Sequence, residues 1–425
     1  MKLIINVSLP TSSAAFKKVN MLFDEKIIKI SADDIACEED VEMIDAKGLI
    51  LLPGGVDPHL HMLGEDAPAA DDLAQISKAA LEGGWTTIGE LSYHTESPVF
   101  TPDDIATKKL LFDENAFTET ALWGHVDIAD YPYHAEAAQE LWANGVVGLA
   151  LAAPNPNPAI PEISFTEIMD LFLDIYESDT AFGFQGYDHQ NHPEYSFIAQ
   201  MDAIKKILRR MQENPIHIPR VSSFPTIEFI NTISKRSDIS FATCLSDLMP
   251  VFSPDSFVAD HACDFAEFEE LLFELIRTNK IYLLSNCTSL QKGNGKLAEV
   301  FYGSSPVSLA YSYLWVLAEL WKKRKVPLAT CIKMTSENAA KRLGIYPQKG
   351  SIDPGSDADF VLYNPDESSH FSTPEGKDIE LMGSLSAVYI RGQKVAGKGF
   401  VSQRRGSFLA RSTNPKRRHN NRTWI

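Results

Sequence analysis

The sequence predicts an α/β fold, a closed (β/α)8 TIM barrel with a small β-sandwich formed by both chain ends. Three observations predict it. Short β-rich runs alternate with helix-patterned runs through the middle of the chain. Eight such strands can be counted, which fits a closed barrel better than an open sheet. Turn-rich, strand-like segments stand on either side of this alternation and can pair with each other.

The candidate strands, in order, are Ile50–Val56, Thr86–Leu91, Thr120–Gly124, Val146–Leu151, Ala181–Gln185, Ile216–Val221, Ile239–Cys244 and Lys280–Ser285. Each is a short run rich in β-branched or apolar residues. Helical spacing of apolar residues lies between them, at Asp71–Leu81, Asp103–Phe112, Phe165–Tyr176, Met201–Met211 and Phe265–Arg277. Strands separated by helices pair in parallel. Two further helices are expected at Pro306–Lys322 and Pro327–Leu343. The texture then changes to a turn-rich stretch from Lys349 to Asp359 and a strand over Ala387–Val395 with a turn at Gly392. At the other end Lys2–Val7, Lys26–Ile30 and Val41–Ile44 read as strands. The expected division is 1–50 and 346–400 for the two parts of the sandwich, 51–345 for the barrel, and 401–425 for a basic tail.

Composition narrows the function classes. A chain of 425 residues with 44% apolar and 23% charged residues is ordinary for a soluble globular protein. No apolar run reaches the roughly 18 residues that cross a bilayer, so no membrane association is expected. The net charge is −18. Seven basic residues and no acid fall in 401–425, leaving about −25 on residues 1–400. So acidic a body argues against nucleic-acid binding. The tail (Arg404, Arg405, Arg411, Lys416, Arg417, Arg418, Arg422) is expected to be solvated and partly disordered, or to touch an acidic neighbour. The five cysteines, Cys37, Cys244, Cys263, Cys287 and Cys331, show no CxxC pair or framework spacing. That points to a reducing compartment, hence the cytoplasm.

Chemistry is concentrated at residues 54–61, Gly-Gly-Val-Asp57-Pro-His59-Leu-His61. Period-two geometry aims His59 and His61 the same way from a strand end, as metal ligands or as hydrogen-bonded interior histidines. The stretch Leu52 to His61, the helix Ser336 to Gly344 and the turn Lys349 to Asp359 together resemble the cyclic amidohydrolases, the dihydroorotase, allantoinase and hydantoinase branch of the amidohydrolase superfamily. The resemblance implies a hydrolase in which two divalent ions share a hydroxide and polarise an amide carbonyl. It implies ligands from two histidines on strand one, a carbamylated lysine on strand four, a histidine each on strands five and six, and an aspartate on strand eight that doubles as general base.

Against that pattern, the later ligand positions read Ala150, Gln185, Arg220 and Asn286. A methyl group cannot be carbamylated. Gln185 is a poor zinc ligand, although a shifted register could bring in His189 or His192. Arg220 has no lone pair and repels cations. Asn286, at the family general-base position, cannot take a proton near neutral pH. Two anions are lost and one cation is gained together, as expected when a metal site is retired. Dihydroorotate is not expected as substrate, because Met62 and Leu63 follow the second histidine where that branch places an arginine. Ser222 and Ser285 show no nucleophile–base partner in the sequence.

The leading expectation is therefore a non-catalytic homologue that acts as an assembly or regulatory subunit. The resemblance then implies a homo-oligomer and a protein partner such as a transcarbamoylase-like enzyme. The first alternative is a hydrolase of a cyclic amide C–N bond with a reduced metal site on His59 and His61. The second is an anion-binding metabolite sensor using His59, His61, Gln185 and Arg220. Either no metal or at most one zinc is expected. A His2Cys2 zinc site would need His59, His61, Cys244 and Cys287 to converge, whereas buried cysteines are usually structural.

Overall fold

The computed structural model describes residues 1–11, 15–37, 40–62, 69–91, 98–127, 129, 133–157, 160–174, 181–209, 215–221, 223–233, 239–248, 273–274, 276, 283–287, 306–372, 376–398, 400–401 and 404–411. Two sheets organise them. The first draws on both chain ends: β1 (Lys2–Pro10), β2 (Phe16–Phe23), β3 (Ile27–Ser31), β4 (Glu42–Asp45) and β5 (Ile50–Pro53) from one, and from the other β14 (Phe360–Ser372), β15 (Asp378–Ile390), β16 (Gln393–Gly397) and β17 (Phe400–Val401). Their order is β17-β16-β15-β14-β5-β1-β2-β3, with β4 added beside β1. Phe23, Phe360 and Tyr389 lie at the centre of its core, with Phe360 and Tyr389 stacked at 4.3 Å between ring centroids.

The second sheet is the barrel: β6 (Gly55–Leu60), β7 (Trp85–Glu90), β8 (Glu119–His125), β9 (Gly148–Ala153), β10 (Phe182–Gly186), β11 (Ile216–Ile218), β12 (Ile239–Cys244) and β13 (Leu283–Ser285). Neighbours run parallel in chain order from β6 to β13. The last strand comes back to the first: Ser285 Oγ donates to the carbonyl of His59 at 3.0 Å. Helices α1 (Ala69–Glu82), α2 (Pro102–Asn115), α3 (His134–Ala143), α4 (Phe165–Asp174), α5 (Phe197–Leu208) and α6 (Phe224–Ile233) cover the outside. Thr101 caps α2 in a full capping box with Asp104, and Pro102 fits its first turn.

Several expectations are corrected. The run Ile50–Val56 is not one strand: β5 joins the terminal sheet against β14, and the barrel strand begins after Gly54. The run Ala387–Val395 is a hairpin, with β15 and β16 joined through Arg391 and Gly392, both at positive φ (43° and 68°). The helices at Pro306–Lys322 and Pro327–Leu343 exist, but each contains a π-helical stretch, Val316–Lys323 and Lys333–Glu337. The start of the tail is only partly solvated: Arg404 and Arg405 are exposed, whereas Leu409 and Arg411 are buried. Residues 404–411 dock under the barrel, where Leu409 N–H donates to Thr120 O at 2.8 Å and Arg411 N–H to Gly145 O at 3.1 Å. The Arg411 guanidinium lies 3.6 Å from the Trp142 ring centroid. Residues 412–425, Ser222, and most of the expected helix Phe265–Arg277 lie outside the described residues.

The barrel interior is filled. Trp123 on β8 projects inward, donates from Nε1 to Pro58 O at 3.0 Å, and packs with Val56, Ala121, Ala150 and Ala152. A Cβ on Gly148 would sit 2.2 Å from the Trp123 ring, so only glycine lets β9 pass the indole. No described helix is long and apolar enough to cross a membrane.

Candidate functional site at the barrel mouth

Polar side chains collect where the parallel strands end. Asp57, His59 and His61 lie on or just past β6, and all three are buried. Asp57 holds the site together. Its Oδ1 accepts from Ser285 Oγ (2.7 Å) and from the His59 amide (3.2 Å). Its Oδ2 accepts from the Asn286 amide (2.8 Å) and from Asn286 Nδ2 (2.7 Å). Burial pushes the Asp57 carboxyl up to about 6, although these donors pull the other way. His59 is driven down to about 3, first by burial and then by the charge of Arg220, so its ring is neutral near pH 7. His59 Nε2 lies 3.2 Å from Cys287 Sγ, and its Nδ1 has no hydrogen-bond partner among the described residues.

The other expected site residues fall as follows. Ala150 lies opposite Gly183, two residues deeper than Gln185, and packs in the apolar interior with Trp123. Gln185 is buried near the end of β10. Arg220 follows β11, is half-buried, and accepts from Gln200 Nε2 at its carbonyl (3.0 Å). Asn286 is fully buried and donates to Asp57. His189 and His192 do not replace Gln185: they face Glu162 (3.0 Å) and Asp202 (3.1 Å) at the surface. The four-residue convergence of His59, His61, Cys244 and Cys287 is only partly met. His59, Cys244 and Cys287 cluster, with donor atoms within 4.8 Å of one another, and His61 is not among them. Cys244 and Cys287 are joined as a disulfide that their spacing of 43 residues did not suggest.

Glu90, His125 and His217 belong to no motif in the sequence, yet all three are buried polar groups of the barrel strands. Glu90 ends β7, is buried, and accepts from the Met62 amide at 2.9 Å. His125 ends β8 and accepts from the Val99 amide at Nδ1 (3.3 Å). His217 on β11 meets Ser240 Oγ through Nδ1 (2.9 Å) and stacks on Trp123, and burial holds it well below the usual histidine range. The available signal was a polar residue inside or closing an apolar strand run, since a buried polar group needs a partner.

Comparisons with known proteins agree with this architecture. The model of the amidohydrolase family matches residues 301–396, which include the Ser336 to Gly344 and Lys349 to Asp359 segments. An allantoinase of Streptomyces avermitilis is 22% identical, covering 91% of this chain and 93% of its own length. An L-hydantoinase of Paenarthrobacter aurescens is 24% identical, covering 96% and 98%. Among solved structures, the L-hydantoinase from Arthrobacter aurescens superposes with a TM-score of 0.80 over 96% of this chain and 99% of that one, at 22% identity. With the three sequence segments, the barrel and the two-ended sheet in agreement, the chain is similar end to end to the cyclic amidohydrolases, and its residues 301–396 match the amidohydrolase family.

Proposed function

We propose that the chain is a hydrolase of a cyclic amide or related C–N bond, working with a reduced metal centre that includes His59 and His61. The observation that carries this reading is similarity to allantoinases and hydantoinases over more than nine-tenths of both chains. Of the readings left open by the sequence, it fits those relatives better than a purely non-catalytic role. The residues do not fit the two-metal, carbamylated-lysine centre. Ala150 offers a methyl group in an apolar layer, and Asn286 spends its amide on Asp57. No step is therefore derived through paired ions.

The chain's own groups do definable work. His59 presents a neutral imidazole, which is the form that binds metals. Asp57 positions Ser285 and Asn286 at the mouth through three hydrogen bonds. Arg220, whose charge reaches His59, suits an anionic substituent on the substrate or the charge that develops on an amide oxygen.

The test is turnover of hydantoin, dihydropyrimidine, allantoin and dihydroorotate by metal-replete protein. Ring opening of one of them, abolished by chelator and in His61→Ala, is the expected result. Absence of turnover across the panel would sink the reading. Ala150 and Asn286 favour a second reading, an assembly subunit that forms homo-oligomers or binds a transcarbamoylase-like enzyme. Its mark would be stable co-elution with that partner and no turnover.

A further inference from the structure

Three metal-capable donors meet at one corner of the barrel mouth. His59 comes from β6, Cys244 ends β12, and Cys287 follows β13, so three adjoining strands deliver them. All three are buried and their donor atoms lie within 4.8 Å of one another. The strand ends are fixed independently of the sulfurs. Asp57 on β6 is bonded to Ser285 and Asn286 beside β13, and Val221 N–H donates to Ala242 O on β12 at 2.9 Å. The donors therefore stay grouped whether the sulfurs are bonded to each other or not.

A structural disulfide with a packed histidine beside it would explain the sulfur pair. It would not explain why an imidazole aims Nε2 at Cys287 Sγ (3.2 Å) while its Nδ1 lacks a partner among the described residues. It leaves equally unexplained His217, whose ring centroid lies 6.2 Å from that of His59 and whose Nε2 also has no partner among the described residues. Charge points the same way. A divalent ion on two thiolates and one neutral imidazole is electrically neutral, and such a group can share a pocket with Arg220. An ion held by histidines and water alone would keep its full charge beside that guanidinium. Two sulfurs and one nitrogen select a thiophilic d10 ion.

We infer that His59, Cys244 and Cys287 form a thiol-gated site for one thiophilic ion, zinc foremost, open as the dithiol and closed as the disulfide. Opening needs a dithiol reductant. Two electrons and two protons pass to the S–S bond, which breaks into two S–H groups, and the reductant leaves as its own disulfide. Zinc then displaces both thiol protons, forming two Zn–S bonds and one Zn–N bond, with the fourth position left for water. The inference goes beyond the hydrolase reading; it shares His59 with it and holds whether or not any substrate turns over.

The experiment loads the full chain with Zn2+ after reduction or after mild oxidation, removes free metal, and counts bound zinc. The reduced protein is expected to hold about one zinc per chain and the oxidised protein none. Replacing Zn2+ by Cd2+ or Co2+ should give a thiolate-to-metal charge-transfer band in the reduced form alone. Cys244→Ser, Cys287→Ser and His59→Ala should lose that band, while Cys331→Ser and Cys37→Ser keep it. Equal zinc in both redox forms, or folded reduced protein with no band, would overturn the inference. The wild-type comparison decides the matter even where a variant does not fold. Chelator-sensitive turnover without a thiolate band would end this inference and leave the hydrolase reading standing. A band without turnover would do the reverse.

Discussion

Asp57 shows how one residue can hold a barrel mouth together. It sits without solvent contact, and four donors from His59, Ser285 and Asn286 point at its two oxygens. Truncation to alanine would leave several buried donors unsatisfied at about 1–3 kcal/mol each. We therefore expect Asp57→Ala to lose at least about 3 kcal/mol in chemical denaturation; a change under about 1 kcal/mol would refute this account. The residue was legible as part of the Asp57–His59–His61 stretch, but its partners were not. Ser285 and Asn286 stand 228 and 229 residues away, and only barrel closure brings them in. The same distance hid the Cys244–Cys287 pair. Spacing rules read cysteines along the chain, whereas these two meet because β12 and β13 are neighbours. Gln185 and Arg220 were legible for the opposite reason, since each ends or follows a strand with a plain apolar run.

At the level of elements, β8 and β9 fit closely around one side chain. Trp123 lies across the barrel interior, and Gly148 and Gly183 leave room for it. Gly148→Ala would place a methyl group 2.2 Å from the indole ring, and the strand or the ring must shift. Overpacking of this kind costs about 1–3 kcal/mol. The expected result is a lower denaturation midpoint with altered Trp fluorescence, and Trp123→Phe in the same background should recover part of the loss. Unchanged stability in Gly148→Ala would contradict the packing described. Alternation of strands and helices was readable because each strand is a compact apolar run. The break at Gly54 was not, because Ile50 to Val56 is apolar throughout while the two halves serve different sheets. The hairpin at Gly392 was half-read: the glycine marked the turn, but the partner strand lacks clear alternation.

On the scale of the whole molecule, one lysine ties the terminal sheet to the barrel. Lys349 is buried and meets Glu119 of β8, Asp357 (2.9 Å) and Asp359 (2.7 Å), and Arg391 adds a second contact to Glu119 (3.2 Å). Lys349→Met would remove the cation shared by three buried carboxylates, leaving them only their outer partners, and removing one partner of such a group costs roughly 3–5 kcal/mol. Separate unfolding of the sheet, or outright loss of soluble protein, is the expected outcome, read by calorimetry and yield. Burial raises the Asp357 carboxyl, but Lys349, Lys26 and Gln348 outweigh it and hold it below the ordinary carboxylate range. The unfolded chain therefore takes up this proton first as pH falls. The contribution of Asp357 is complete above its unfolded value and disappears as pH drops through its folded one. Wild-type stability should thus fall more steeply in acid than that of Asp357→Asn; parallel curves would rule this out. Arg411, expected in a solvated tail, donates to Trp142 O at 2.6 Å beneath the barrel. Its replacement by alanine should cost about 1–2 kcal/mol by thermal or chemical unfolding. Composition could not foresee that docking, because a run of basic residues reads the same whether it is free or stacked on an aromatic ring.

The seam between β5 and β14 pairs Pro53 with Phe360 and Ile50 with Tyr363. During synthesis the first fifty residues thus wait for some three hundred others before their last neighbour leaves the ribosome. Until then β5 offers an open hydrogen-bonding margin to any passing polypeptide. A fragment ending near residue 345 would carry that margin permanently, and its fate should be precipitation rather than a smaller working barrel.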